Sequence, residues 1–199
     1  NPNSDAVAAN GAAMAGHLGA AIHALAINAD IPPVSNALSH FLLDVPEMIR
    51  EAEKLSRERG DHLLTLIVES AQAAGLSSST NAIAVKPALL AETAAVHARY
   101  YDISLLGWEA DNPTSRLTAE TVIFGAGRPT VLLPELCSVG ALDHVAVAWD
   151  GSRVAARAAA DAFPLLARAT RVSVLSVVDD KPSSRDAAER FAGGLMRRG

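Results

Sequence analysis

A doubly wound α/β fold, a parallel sheet covered by helices on both faces, is predicted by three features of this sequence. Short apolar segments of strand length alternate with segments of helical period along the whole chain. Glycine and proline punctuate the joints between them. A helix-strand unit also recurs roughly one α/β domain further on.

The elements follow in order. Ser4 is a good N-cap for a small-residue helix over 5–18, and Gly19 is a suitable stop before an apolar strand at 20–27. "NADIPPVSN" reads as a loop. From 36 to 75 the period is helical, with Met48, Ile49, Ala52 and Leu55 on one side and Glu53 and Arg57 as an i,i+4 pair on the other. Gly60 marks a weak point within this helix and not its end, because Leu63, Leu64, Ile67 and Val68 keep the same period. "TNAIAVKP" alternates as a strand, "ALLAETAAVHARY" is helical and "DISLLG" is a short buried strand. The polar loop "WEADNPTS" precedes the helix "RLTAETVIFGAG" and the strand "RPTVLLP". After the connection "ELCSVGALD" come the strand "HVAVAWD", a helix from Arg153, the strand "RVSVLSVV" and a last helix, "SSRDAAERFAGGLMRR".

The repeat is visible residue by residue. With Ser152 laid on Ser4, an offset of 148, Ala156 falls on Ala8, Ala160 on Ala12 and Leu166 on Leu18; the next strands match after a short further shift. The second copy is led by "HVAVAWD", and the first copy has no such strand ahead of its helix. Two domains are therefore expected, 1–136 lacking its first strand and 141–199 as the start of a second copy, within a longer tandem. The alternative is that "HVAVAWD" itself fills the vacant place in the first sheet.

Composition narrows the function. Half of the 199 residues are hydrophobic, ample for a core. The 17 basic residues are scattered and outnumbered by 22 acidic ones, for a net charge of −5, so there is no basic footprint for nucleic acid. No apolar run reaches the ~20 residues of a spanning helix, and no membrane partner is expected. The lone Cys137 forms no internal disulfide or cysteine metal cluster. The six histidines lack H-x-x-x-H or H-E-x-x-H spacing, so no metal is expected; His23, inside an apolar strand, reads as a core or sheet-end residue. No G-x-S-x-G elbow supports serine hydrolysis, and no catalytic residue is assigned.

The passages "DISLLGWEADNPTSRLTAETVIFGAGRPTVLLP" and "HVAVAWDGSRVAARAAADAFPLLARATRVSVLSVV" resemble the end of one universal stress protein domain and the start of the next, in the tandem form. The resemblance implies a five-stranded parallel sheet of order 3-2-1-4-5, of adenine nucleotide alpha hydrolase-like type. It also implies self-association, as a homodimer or as an intramolecular pseudo-dimer with "RPTVLLP" as contact strand, and a cytoplasmic role in stress tolerance. Some members of that family bind ATP and others do not.

In the ATP-binding members a glycine closes the fourth strand, a second follows after two residues, and a glycine with Ser or Thr follows nine residues later, letting amide N–H groups meet the phosphates. Gly107 matches the first position. Ala110 stands at the second, and Glu120-Thr121 at the last pair. An acid at ~6 Å from a phosphate charge, at an effective dielectric near 20, costs roughly 3 kcal/mol before screening. That exceeds two backbone hydrogen bonds at about 1 kcal/mol each. The glycines of "GAGRP", Gly125 and Gly127, read either as an anion nest or as a helix stop.

Asp150, with Gly151 and Ser152, ends what resembles the first strand of the second domain, where open α/β sheets bind ligands. The matching aspartate of ATP-binding relatives contacts the base. Asp150 or Ser152 can equally cap the helix from Arg153 with no ligand at all. Trp108 and Trp149, both at strand ends, could stack a base or pack a domain contact. The candidate nucleotide positions are thus Asp150, Gly151, Ser152, Gly107 and Thr121, with ATP the one cofactor the resemblance allows. The function expected is a non-enzymatic stress-response or interaction protein whose first domain has a degenerate ATP motif. The alternative is an adenine-nucleotide-binding module acting through the second domain.

Overall fold

Main-chain glycine turns and alanine-rich helix faces build the chain. In the computed structural model, which describes residues 2–33, 44–177 and 184–198, the elements run α1 (Pro2–Leu18), β1 (Ile22–Ala29), α2 (Val45–Ala73), β2 (Ser78–Val85), a 3-10 turn (Pro87–Leu89), α3 (Leu90–Ala98), β3 (Ser104–Trp108), α4 (Pro113–Gly125), β4 (Thr130–Pro134), β5 (His144–Ala148), α5 (Arg153–Asp161), α6 (Phe163–Leu166), β6 (Arg171–Leu175) and α7 (Ser184–Met196). They divide into two compact units, Asn1–Val139 and Gly140–Gly199.

Helix ends follow local chemistry. Gly19, at φ 63°, closes α1: its N–H donates to Gly16 O and Ala20 N–H to Ala15 O, a Schellman pair. Gly75, at φ 69°, ends α2 in the same way, with Leu76 N–H on Ala71 O. α1 starts earlier than a Ser4 cap allows, because Pro2 is suited to a first helical turn and Ser4 lies inside the helix. α2 is capped by the Asp44 carboxylate, which accepts from Glu47 N–H; a helix start at 36 lies outside the described residues. α4 begins at Pro113, within the expected loop, because Asn112 caps it. The helix that follows β5 breaks at Ala162, two residues before Pro164, giving α5 and α6.

The sheet departs from expectation. The described strands form three two-stranded parallel sheets, β1-β2, β3-β4 and β5-β6, and not one five-stranded sheet. The reason is topological: no described strand lies between β1 and β3, so neither ladder can continue into the other. The segment "HVAVAWD" does not fill that place either, since its strand β5 pairs with β6, Ala146 opposite Ser173.

Within the first unit helices flank β1 and β3, while β2 stays largely exposed. Alternate residues of β3 point to opposite sides: Leu105 and Gly107 approach Gly11 and Val7 of α1, whereas Leu106 packs on the cluster of Ala95, Ala98, Val122 and Ala126 from α3 and α4. On β1, Ala26 and Asn28 meet α2 at Gly60, and His23 stacks on Tyr101 just after α3, with ring centroids 5.0 Å apart. α2 runs through Gly60 as expected, and a Cβ there would fall 2.5 Å from Asn28 Oδ1, so this glycine is where α2 rides on β1. Alanine on facing surfaces lets α3 and α4 pack closely: a Cβ on Gly125 would sit 3.5 Å from that of Ala95.

Asn10, buried in α1, clamps the chain after β4. Its Nδ2 donates to Cys137 O and its Oδ1 accepts from Val139 N–H, both at 2.7 Å. Asn10→Ala removes both hydrogen bonds and is expected to lower the unfolding free energy by about 1–3 kcal/mol, part of the loss being made good by water at the exposed Cys137. Urea denaturation of the two chains measures this, and an unchanged midpoint would remove the clamp from the account.

Candidate functional site

Two places hold the sequence-predicted residues: the β3–α4 junction in the first unit and the β5–α5 turn in the second. A third feature, a cavity in the first unit, was not anticipated.

At the β3–α4 junction the main-chain donors are already engaged. Asn112 Oδ1 accepts from the N–H groups of Thr114 (2.9 Å) and Ser115 (3.2 Å), and Ser115 Oγ accepts from Glu109 N–H at 3.2 Å. Asn112 Nδ2 in turn donates to the Glu109 carboxylate at 2.7 Å. Gly107 has a packing role here, since a Cβ would fall 2.7 Å from Val7 Cγ2. The Thr121 hydroxyl donates to Leu117 O at 2.7 Å, back along its own helix. Glu120 is not a bare charge: Arg116 Nε donates to it at 2.8 Å, which offsets part of the repulsion assigned to it from sequence. The "GAGRP" segment is a helix stop, with Gly127 at φ 68°; Arg99 donates to Gly125 O, and Arg128 to Arg99 O.

At the β5–α5 turn Gly151 takes φ 76°, a conformation that suits glycine, and turns the chain from strand to helix. Ser152 is the N-cap, its Oγ accepting from Ala155 N–H at 3.1 Å. Asp150 Oδ1 accepts from Ser152 N–H at 2.8 Å. Hydrogen bonds from the Ser152 side chain first, and then from its main-chain N–H, hold the Asp150 carboxyl below the ordinary aspartate value. Trp149 stacks on Phe191, with centroids 3.9 Å apart and planes 6° from parallel, and its indole nitrogen is buried without a partner. One face of this ring is thus covered by α7; sequence reasoning missed the pair because the residues are far apart along the chain.

The cavity, about 390 Å³, lies between the two strand pairs of the first unit. Its walls come from β1 (Ile22 to Leu25, and Ile27) and β3 (Ser104 to Gly107). Residues of α1 and α2 close it on one face, and residues of α3 and α4 on the other. Its lining is mainly Ala, Leu, Ile and Val; the polar members His23, His97, Tyr101, Asp102 and Ser104 gather where β1 and β3 begin, opposite the carboxyl edge where α/β sheets hold ligands.

Among the described residues, no cluster of His, Cys, Asp or Glu could hold a metal ion, and no helix is long and apolar enough to cross a membrane. No protein-family model matches the chain, and no curated protein matches it.

The capping turn gives a pH prediction with a definite sign. Because the folded-state value of Asp150 is depressed, its contribution is present above the unfolded-state value and is lost as pH falls through the folded one. Carboxyl-detected NMR titration should place Asp150 below ordinary aspartates. Ser152→Ala should move it back up and cost about 1 kcal/mol through the lost cap. An Asp150 midpoint that does not respond to Ser152→Ala would contradict the turn described.

Proposed function

We propose that this chain acts as a universal stress protein-like, non-enzymatic interaction protein of the cytoplasm, whose first unit does not hold ATP. The observation that carries this reading is the self-satisfied β3–α4 junction: the amides of Glu109, Thr114 and Ser115, at the strand-to-helix step where a phosphate would seek donors, are taken by Ser115 and Asn112. The Glu109 carboxylate beside them adds charge of the wrong sign. A ligand would have to displace bonds already made, with little net gain.

In this reading β1-β2 and β3-β4 are the two halves of a five-stranded sheet of order 3-2-1-4-5, the place between them being that of the first strand. Self-association follows as the protein's mode of action, as a homodimer or a pseudo-dimer of tandem domains, with β4 as contact strand. Support comes from β4 pairing with β3 on one edge only among the described residues. A second reading, adenine-nucleotide binding through the second unit, is favoured by one feature: Asp150 is held ionised beside the Gly151 turn at the end of β5.

Sedimentation equilibrium of the chain is expected to show the same self-association with and without ATP, and calorimetry no nucleotide binding. Saturable ATP binding that shifts the amides of Glu109, Thr114 and Ser115 would overturn the first reading. Binding abolished by Asp150→Ala would transfer the function to the second unit.

A further inference from the structure

Asn10, which clamps the chain after β4, is followed by a glycine. Asn10-Gly11 is the one Asn-Gly pair in the sequence; every other asparagine precedes Pro, Ser or Ala. The pairing matters chemically, because the main-chain nitrogen after an asparagine can attack its side-chain amide carbon. Glycine leaves that nitrogen unshielded by a Cβ and gives the backbone the freedom to reach the attacking geometry.

Nothing in the packing asks for glycine at this position. Gly11 lies inside α1 without a positive φ, and a Cβ there would meet only Leu105 Cδ1, at 4.0 Å, an ordinary contact. Alanine would fit and would favour the helix. Gly16, also inside α1, has open space at its Cβ position. The two glycines make α1 easier to open than alanines at the same places would.

While α1 is closed, the attack is blocked in three ways. Asn10 is 4% exposed. Its Nδ2 and Oδ1 are held by Cys137 O and Val139 N–H, both at 2.7 Å. Helical side chains lean toward the N-terminus, away from the next residue's nitrogen, and helical geometry commits Gly11 N–H to the carbonyl of Val7.

We propose that Asn10-Gly11 is a deamidation site gated by the opening of α1, and that the reaction releases the segment Cys137 to Val139 irreversibly. In the open helix, hydroxide removes the Gly11 N–H proton and the nitrogen bonds to Asn10 Cγ. The Cγ–Nδ2 bond breaks, and Nδ2 leaves as ammonia with a proton from water. Water then opens the cyclic imide at either carbonyl, leaving aspartate or isoaspartate at position 10. Neither product remakes the clamp. An aspartate still accepts from Val139 N–H, but the atom facing Cys137 O has become a second acceptor, charged and buried, so attraction turns to repulsion. An isoaspartate adds a carbon to the main chain of α1 and interrupts its hydrogen-bond ladder. Cys137 to Val139 lead into Gly140, where the second unit begins, so the segment set loose is the one that joins the two units along the chain. None of these groups belongs to the β3–α4 junction or the β5–α5 turn, so the site stands whether or not the chain binds nucleotide.

The test incubates the chain in mildly alkaline heavy-oxygen water and locates the incorporated oxygen by peptide mass spectrometry. Label should appear at position 10, and faster in urea below the unfolding midpoint than in buffer. The synthetic peptide Ala8–Met14, which has no clamp, should react at least about tenfold faster than the folded chain, the ratio reporting how rarely α1 opens. Gly11→Ala should suppress the label while leaving the urea midpoint unchanged or raised. Asn10→Asp should lower that midpoint and speed amide exchange at Val139. A folded chain that reacts as fast as the peptide, no label at position 10 in urea where exchange shows α1 open, or full protection of Val139 in the Asn10→Asp chain would each overturn the proposal.

Discussion

The constraint that organises this molecule is that a parallel strand covered by helices on both faces needs a neighbour on each edge. A buried donor left unmade costs about 1–3 kcal/mol, and one that meets only solvent gains no ladder bond. β2 and β4 meet that demand for one edge each of β1 and β3. The inner edges meet a cavity lined by residues of α1 and α2 and of α3 and α4.

Several small residues of the first unit serve close packing. Gly107 makes room for Val7, and Gly60 for Asn28. Ala8, Ala12 and Ala15 give α1 a flat buried face, while Ala95, Ala98 and Ala126 do the same where α3 meets α4. Such packing gives little area per residue and depends on many close contacts at once. It also explains why a glycine pattern that resembles a phosphate loop need not be one. The same absence of a Cβ serves close helix packing, and here Val7 occupies the space.

How much of this was legible in the sequence depended on the range of the interaction. Helix stops at Gly19 and Gly75 were legible because the Schellman turn is local and only glycine takes the positive φ cheaply. The start of α4 was not, since "DNPTS" looks like a loop until Asn112 is seen capping and Pro113 filling the first turn. That α2 continues through Gly60 was legible, but its packing on Asn28 was not, because that neighbour in space is remote in sequence. The partition into three strand pairs was equally hidden: alternation predicts parallel strands but not which edges find partners. At Asp150 and Ser152 the sequence pattern was ambiguous by nature, because a helix cap and an anion-binding turn are written with the same residues.

Amide-resolved hydrogen exchange on the chain by itself tests the central claim most directly. The account predicts an alternating pattern, slow at Ala24, Ala26 and Leu106, whose N–H groups serve β2 and β4, and fast at Leu25, Ile27, Leu105 and Gly107, whose groups face the cavity. Uniform protection along β1 and β3 would mean that both inner edges are already paired, and would contradict it.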